Sequence, residues 1–302
     1  MIADKFVDLH ARNAGLRDKL VAERDVVLTY ALAALIDGGV MTDLAFKGGT
    51  CLRKMVFGSS GRFSEDLDFT LASARPEDDV LLRLVERLNR THHGITFTFN
   101  EYYKTDGDTS FGGDVFYRHA WNARGHFRLQ VSLRERPTLP VVARAMQPQG
   151  YFAQLEFAPP AVRVLAPIEM LAEKVRAAFQ RVKVRDLYDL HRFVTTPFDG
   201  ELLRGLAVLK LWEVRDPFDP ELFFARLRDG RYDWEDLQRL LRASERLDPE
   251  ALLHAVETRF AVLRGLTVLE RAVIADAKSG WNEPLAERLR AEIRTRSTAP
   301  AP

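Results

Sequence analysis

Cysteine is almost absent from these 302 residues, and Cys51 stands alone. A single thiol excludes an internal disulfide and a cysteine-rich zinc site. Neither sign of charge prevails: 44 lysines and arginines face 43 aspartates and glutamates. Any surface for nucleic acid must therefore be a local patch rather than an overall basic field. No apolar run approaches the ~20 residues that span a bilayer, and the first residues carry no secretory pattern. With the lone cysteine, this points to the cytoplasm and to no membrane partner. What is present is ordinary for a folded protein: 46% hydrophobic and 29% charged residues can bury one large core or two modest ones. Cys51 reads as a small packed residue or as a thiol activated by a helix N-terminus, the packed reading being the simpler.

The chain is organised around Phe46 to Thr70, FKGGTCLRKMVFGSSGRFSEDLDFT. The apolar Leu44-Ala45-Phe46 leads into Lys47-Gly48-Gly49-Thr50, a turn whose paired glycines let the backbone approach a phosphate. A helix over Thr50 to Phe57 then points its first amides at the same place. Asp66 and Asp68 alternate with Leu67 and Phe69 at the two-residue period of a strand, so both carboxylates leave one face. Carboxylates about 7 Å apart along a strand can converge on Mg²⁺, a hard ion that takes oxygen ligands and leaves room for triphosphate. Alone, the glycines could be only a turn and the acids only a solvated edge. Their order and separation are what favour a nucleotide site.

Apolar spacing predicts a long helix over Leu16 to Ile36, strands over Asp43 to Lys47 and Asp66 to Leu71, and a helix from Pro76 that ends at His92-His93-Gly94. Strands follow over Ile95 to Tyr102, Val115 to Asn122 and His126 to Leu133, with a Gly/Asp-rich loop over Thr105 to Asp114. The proline-rich Pro137 to Pro160 reads as a connector. Beyond Pro167 the pattern is almost wholly helical, with breaks near Pro197 to Gly200, Pro217 to Pro220, Gly230, Asp248-Pro249 and Gly280. The tail from Thr298 to Pro302 is expected to fray. Within the helical part, Lys174 and Arg181 share a face and Asp186 and Asp189 share another at i, i+3. On pattern alone these are solvated salt bridges of an amphipathic pair.

Gly48-Gly49-Thr50-x-Leu52-Arg53, Phe57-Gly58, Ser64-x-Asp66-x-Asp68-Phe69, Pro167-x-Glu169-x-Leu171-Ala172-Glu173-Lys174-x-Arg176 and Arg185-Asp186-Leu187-Tyr188-Asp189-Leu190 together resemble the four motif regions of the AbiEii/AbiGii nucleotidyltransferase toxin family. That family is known from abortive-infection and type IV toxin–antitoxin systems and belongs to the polymerase β type superfamily. The resemblance spans Lys47 to Leu190. It implies an α/β fold: an N-terminal polymerase β type mixed sheet with flanking helices over residues 1–160, then a mainly helical C-terminal domain over 161–302 carrying Lys174 and Asp189, with the site between them.

The implied enzyme is a nucleotidyltransferase that uses Mg²⁺, or Mn²⁺ in its place, to move a nucleotide from NTP to an RNA acceptor. The tRNA 3′ end is the expected acceptor, and a cognate antitoxin the expected partner. Carried over residue by residue, the catalytic set is Asp66, Asp68, Lys174 and Asp189, with Asp186 the lesser choice of acid. The metal falls to Asp66 and Asp68. Nucleotide binding falls to Lys47, Gly48, Gly49, Thr50, Arg53, Ser64 and Lys174. Arg176, Arg181, Lys183 and Arg185 form a basic patch for RNA, or an ordinary solvated face. One departure stands out: Gln130 occupies the strand position where such enzymes place a third carboxylate. That favours one metal, with Asp189 or Glu135 helping to activate the attacking hydroxyl. Transfer to a protein hydroxyl or a small molecule, and nucleotide binding without turnover, remain open readings.

Overall fold

The structure, a computed structural model, describes residues 4–298; the expected frayed tail lies outside them from residue 299 onward. The chain divides into two compact units. The first contains the residues through Pro137, then Val141–Leu165, and finally the short segment Gln238–Glu245. The second contains Thr138–Pro140, Ala166–Leu237 and the chain from Arg246.

In the first unit α1 (Asp4–Asn13) and α2 (Lys19–Asp37) precede β1 (Leu44–Lys47). The Asp18 carboxylate accepts from the Leu20 amide and starts α2, satisfying one of the donors a helix N-terminus leaves open. The motif helix α3 (Gly48–Cys51) runs on as a π-helical turn over Leu52–Phe57, a widening that clusters at functional sites. Then come β2 (Leu67–Leu71), α4 (Glu77–Arg87), β3 (Thr91–His92), β4 (Ile95–Lys104), β5 (Ser110–His119), β6 (Asn122–Ser132), β7 (Val142–Arg144) and β8 (Val162–Val164). They form one mixed sheet ordered β3-β4-β5-β6-β2-β1-β8-β7, with β2 parallel to β6 and β1 parallel to β8. Phe97, Phe111, Val115, Phe127, Leu129, Val131, Leu67 and Phe69 are buried on one face. Fully burying such a side chain stabilises by roughly 1.5–3 kcal/mol relative to exposure.

Two local expectations are corrected. The helix ends at Arg87, short of the histidines, and Thr91–His92 pairs with Ile95–Thr96 through a turn in which His93 and Gly94 both take positive φ. The His92 Nε2 still donates to the Arg87 carbonyl at 3.0 Å, so the imidazole caps the helix from the strand. The Gly/Asp-rich stretch is strand from Ser110 onward. Gly112 belongs in it because a Cβ there would lie 2.3 Å from the Leu129 carbonyl oxygen and 2.9 Å from the Tyr103 hydroxyl.

The late segment Gln238–Glu245 is stitched into this unit. Phe63 N–H donates to the Leu240 carbonyl at 2.8 Å and Ala243 N–H to the Gly15 carbonyl at 2.6 Å, while Leu240 packs with Val21 and Phe63.

The second unit holds α5 (Pro167–Gln180), α6 (Val184–Arg192), α7 (Gly200–Trp212), α8 (Pro220–Asp229), α9 (Trp234–Gln238, its last residue already in the stitched segment), α10 (Pro249–Phe260), α11 (Val268–Ser279) and α12 (Glu283–Thr298). Asp199, Asp219 and Asp248 each cap the following helix with a carboxylate oxygen, and Pro220 and Pro249 open their helices, where a missing N–H costs nothing. Glu169 is fully buried: it accepts the Thr138 and Leu139 amides at 2.9 and 3.0 Å and meets Lys210 Nζ at 2.9 Å. That acid tethers Thr138–Pro140 to the helices. Among the described residues no helix is long and apolar enough to cross a membrane.

Candidate active site

The first unit brings the glycine turn against the acid pair. Antiparallel pairing of β1 with β2 sets Lys47 opposite Asp68. The chain then leaves β1 through Gly48 at φ +78°, where a Cβ would lie 2.2 Å from Asp68 Oδ2. Only glycine fits here, for its left-handed backbone and for the room the carboxylate takes. A Cβ on Gly49 would meet Arg62 Nη2 at 2.6 Å and Ser64 Oγ at 2.9 Å. Thr50 Oγ1 donates to the Asp66 carbonyl at 2.5 Å. Gly48, Gly49, Ser64 and the two acids therefore gather at one end of β1 and β2, with Asp66 and Asp68 half-buried and Lys47 and Ser64 nearly covered.

Alternation explains the gathering. In Arg62-Phe63-Ser64-Glu65 the even residues turn to the glycines. The odd ones turn to the stitched segment, Phe63 through its packing on Leu240 and Glu65 through Arg239 at 2.7 and 3.1 Å, while Arg24 of α2 also meets Glu65 at 2.5 Å. Arg62, with 5% of its surface exposed, is thus a site residue that sequence reasoning passed over. The signal was available: it heads the period-two series Arg62-x-Ser64-x-Asp66-x-Asp68.

Arg53 and Thr50 are placed differently from the glycines. Thr50 is buried, its hydroxyl joining turn to strand. Arg53 is 2% exposed. Its guanidinium stacks on Phe63 at 3.5 Å, donates to the Gly61 carbonyl at 2.7 Å and lies 3.4 Å from Asp25 Oδ1. Beside it Lys54 Nζ reaches Asp25 Oδ1 and the Asp25 carbonyl at 2.8 Å, Thr29 Oγ1 at 3.0 Å and Tyr151 Oη at 3.1 Å, and His10 Nε2 is 3.1 Å from Asp25 Oδ2. Burial would raise the Asp25 carboxyl, but Lys54, Arg53 and His10 outweigh it and hold it well below the usual carboxylate range. This buried cluster fixes the helix that carries the turn.

Across the sheet, register aligns Lys47, Asp68, Gln130, Gly112 and Tyr103 in one row over five strands. Gln130 stands directly beside Asp68 and donates through Nε2 to Ser110 Oγ at 2.8 Å. Tyr103 lies across Gly112. Burial, the largest influence, raises its phenol, and Asp68 and Asp66 raise it further against Arg128, so it stays a hydroxyl facing the acids. Sequence reasoning missed Tyr103 too, because its place depends on an irregularity in the β4–β5 pairing between Asn100 and Tyr103.

Among the described residues no group of three or more His, Cys, Asp or Glu could hold a metal. Two carboxylates are a fitting donor set for Mg²⁺, which keeps several waters and takes its remaining ligands from substrate phosphates. Glu135, the other acid considered for activating a hydroxyl, is 7% exposed.

The second unit assembles its own cluster. Lys174 Nζ is 2.9 Å from Asp186 Oδ1 and 2.8 Å from Asp189 Oδ2, and Arg181 Nε is 2.8 Å from Asp186 Oδ2. Burial raises the Asp186 carboxyl, yet Lys174 and Arg181 together bring it far below its ordinary value. Of the arginines expected to meet RNA, Arg176 is buried beside Glu173, Arg181 sits on Asp186, and Arg185 forms a two-pronged pair with Asp236 at 2.7 and 2.6 Å. Lys183 is exposed.

Among solved structures the chain is similar to MenT4, a nucleotidyltransferase toxin from Mycobacterium tuberculosis H37Rv, with a TM-score of 0.80 and 27% identity over 97% of this chain and 100% of that one. No curated protein sequence gives a significant match. The sequence model for the nucleotidyl transferase AbiEii toxins of type IV toxin–antitoxin systems matches residues 30–295, a span that takes in the glycine turn, the acid pair and the lysine–aspartate cluster, and the chain belongs to that family.

Proposed function

We propose that the protein transfers a nucleoside monophosphate from an NTP to the 3′ end of an RNA, tRNA being the expected acceptor. On this reading it does so in the cytoplasm and is restrained by a cognate antitoxin. The observation that carries the reading is the interlock of Gly48 with Asp68, which sets the glycine turn, Arg62, Ser64 and the acid-bearing strand side by side. Asp66 and Asp68 would hold Mg²⁺ or Mn²⁺, which when bound supplies charge neutralisation on the phosphates. Lys47, the turn amides, Ser64 and Arg62 bind and orient the triphosphate; positioning and electrostatics are most of what phosphoryl chemistry needs from a protein. Lys174 and Asp189 serve the same reaction, the lysine as a cation for the triphosphate and the aspartate as a proton acceptor. Gln130, a neutral neighbour of Asp68, supports a single-metal arrangement.

Incubation of the purified protein with each α-labelled NTP, Mg²⁺, and total cellular RNA or protein tests the assignment. Label in RNA, at the 3′ nucleotide after digestion, is the expected outcome. Label in the protein fraction alone, or NTP binding with no transfer, counts against it.

A further inference from the structure

We propose that the solvent face of β4, β5 and β6 is the bed on which a single-stranded acceptor RNA lies as its 3′ end reaches the acids, an assignment that rests on RNA being the acceptor. Along β6 the odd residues Phe127, Leu129 and Val131 are buried, so the even residues share the opposite face with Gln130 and, across the β2 pairing, Asp68. Those even residues are Arg128, His126 and Arg124, all exposed. The register places Phe116 beside His126, their rings 5.9 Å apart, and brings Arg118 to the same end of β5. From Gln130 to Arg124 the strand runs about 20 Å, room for several nucleotides.

The chemistry of the face fits a phosphate-linked strand. Its cations are all arginine, whose planar fork matches phosphate oxygens and stacks on bases. Arg118 and Arg124 form no ion pair with any described residue, and Arg128 keeps 62% of its side chain exposed with Asp114 4.0 Å away. In a chain of net charge +1, three arginines on one side of one sheet are a local concentration. Arg176, Arg181 and Arg185, by contrast, each sit beside a carboxylate. Phe116 is half-exposed on this polar face and offers the ring that sequence-tolerant single-strand binding uses. The bed leads along β6 straight to the row containing Asp68.

The test uses the full chain, a fluorescent single-stranded oligoribonucleotide with a free 3′ hydroxyl, and a triple variant Arg118→Gln/Arg124→Gln/Arg128→Gln whose folding is checked by melting. In the triple variant, binding should weaken at least about tenfold near 0.1 M salt, and the slope of log affinity against log salt should fall by about 2, near 0.7 for each phosphate that an arginine no longer neutralises. The KM for RNA should rise while the KM for NTP is unchanged. Phe116→Ala should weaken binding about tenfold at an unaltered salt slope, as loss of a stacked base does. Wild-type slope and RNA KM in the triple variant, with RNA still labelled by the wild type, would overturn the bed and leave the proposed reaction standing. Variants that keep their RNA parameters but escape inhibition by the antitoxin would make the face a protein-docking surface instead. A wild type that labels only protein would overturn both readings.

Discussion

Asp66 and Asp68 are close in sequence yet differently held: Asp68 is wedged against Gly48, whereas Asp66 leads into β2 with its carbonyl taken by Thr50. Asp66→Ala should lower transfer about a hundredfold or more through loss of the metal, with an unchanged melting temperature because the side chain is only half-buried. Near-normal transfer by the purified variant at saturating Mg²⁺ would contradict the metal assignment. Cys51 offers an independent check on local packing. It is fully buried with Sγ 3.5 Å from the Phe46 carbonyl, and burial pushes its thiol well up. A thiol reagent at neutral pH should therefore modify the protein only as fast as it unfolds; rapid labelling of the native state would refute the packing. The acids and glycines were legible in the sequence because short-period alternation and a paired-glycine turn are local facts. Arg53 was less so: spacing puts it one turn beyond the glycines, but only the tertiary fold shows its guanidinium spent on Phe63, Gly61 and Asp25.

The turn between β1 and α3 is the element on which the site depends. Gly48→Ala would place a Cβ 2.2 Å from a carboxylate oxygen at φ +78°, combining backbone strain of about 1–3 kcal/mol with displacement of Asp68. Transfer should fall by more than tenfold and the melting temperature should drop. Gly150→Ala, whose Cβ would meet nothing nearer than 3.9 Å, should change neither quantity, and equal behaviour of the two variants in activity and melting would remove the turn from the mechanism. The main strands and helices were readable from hydrophobic period and from Asp or Pro at helix starts. The exceptions have physical causes. Gly112 looked like loop because its lack of a side chain signals a turn, whereas here it makes room for Tyr103 and the Leu129 carbonyl. The π-helical turn at Leu52–Phe57 leaves no mark in a pattern tuned to 3.6 residues.

At the scale of the whole molecule, each unit keeps a deeply buried aspartate ionised, Asp25 in one and Asp186 in the other. Both carboxyls titrate lower folded than unfolded. The stability they contribute is therefore fully present above about pH 4, near the unfolded value, and is lost as pH falls through the lower folded values. Urea midpoints measured from pH 7 to pH 2.5 should decline below pH 4. Asp25→Asn, which leaves Lys54 buried beside a neutral partner, should cost about 3–5 kcal/mol at pH 7 and flatten that decline; a variant as stable as wild type would count against the buried cluster. Long-range pairing was the least legible feature, since nothing in Gln238–Glu245 announces that its backbone meets Gly15 and Phe63. That pairing has a consequence during synthesis. A nascent chain lacks Leu240, the partner of Phe63, and Arg239, which joins Arg24 on Glu65, until those residues are made, about 4 to 15 s after Leu165 at 5–20 residues per second. The loop bearing Arg62 and Ser64 thus gains its last packing partners only late in translation, and a chain that stops before residue 239 lacks them.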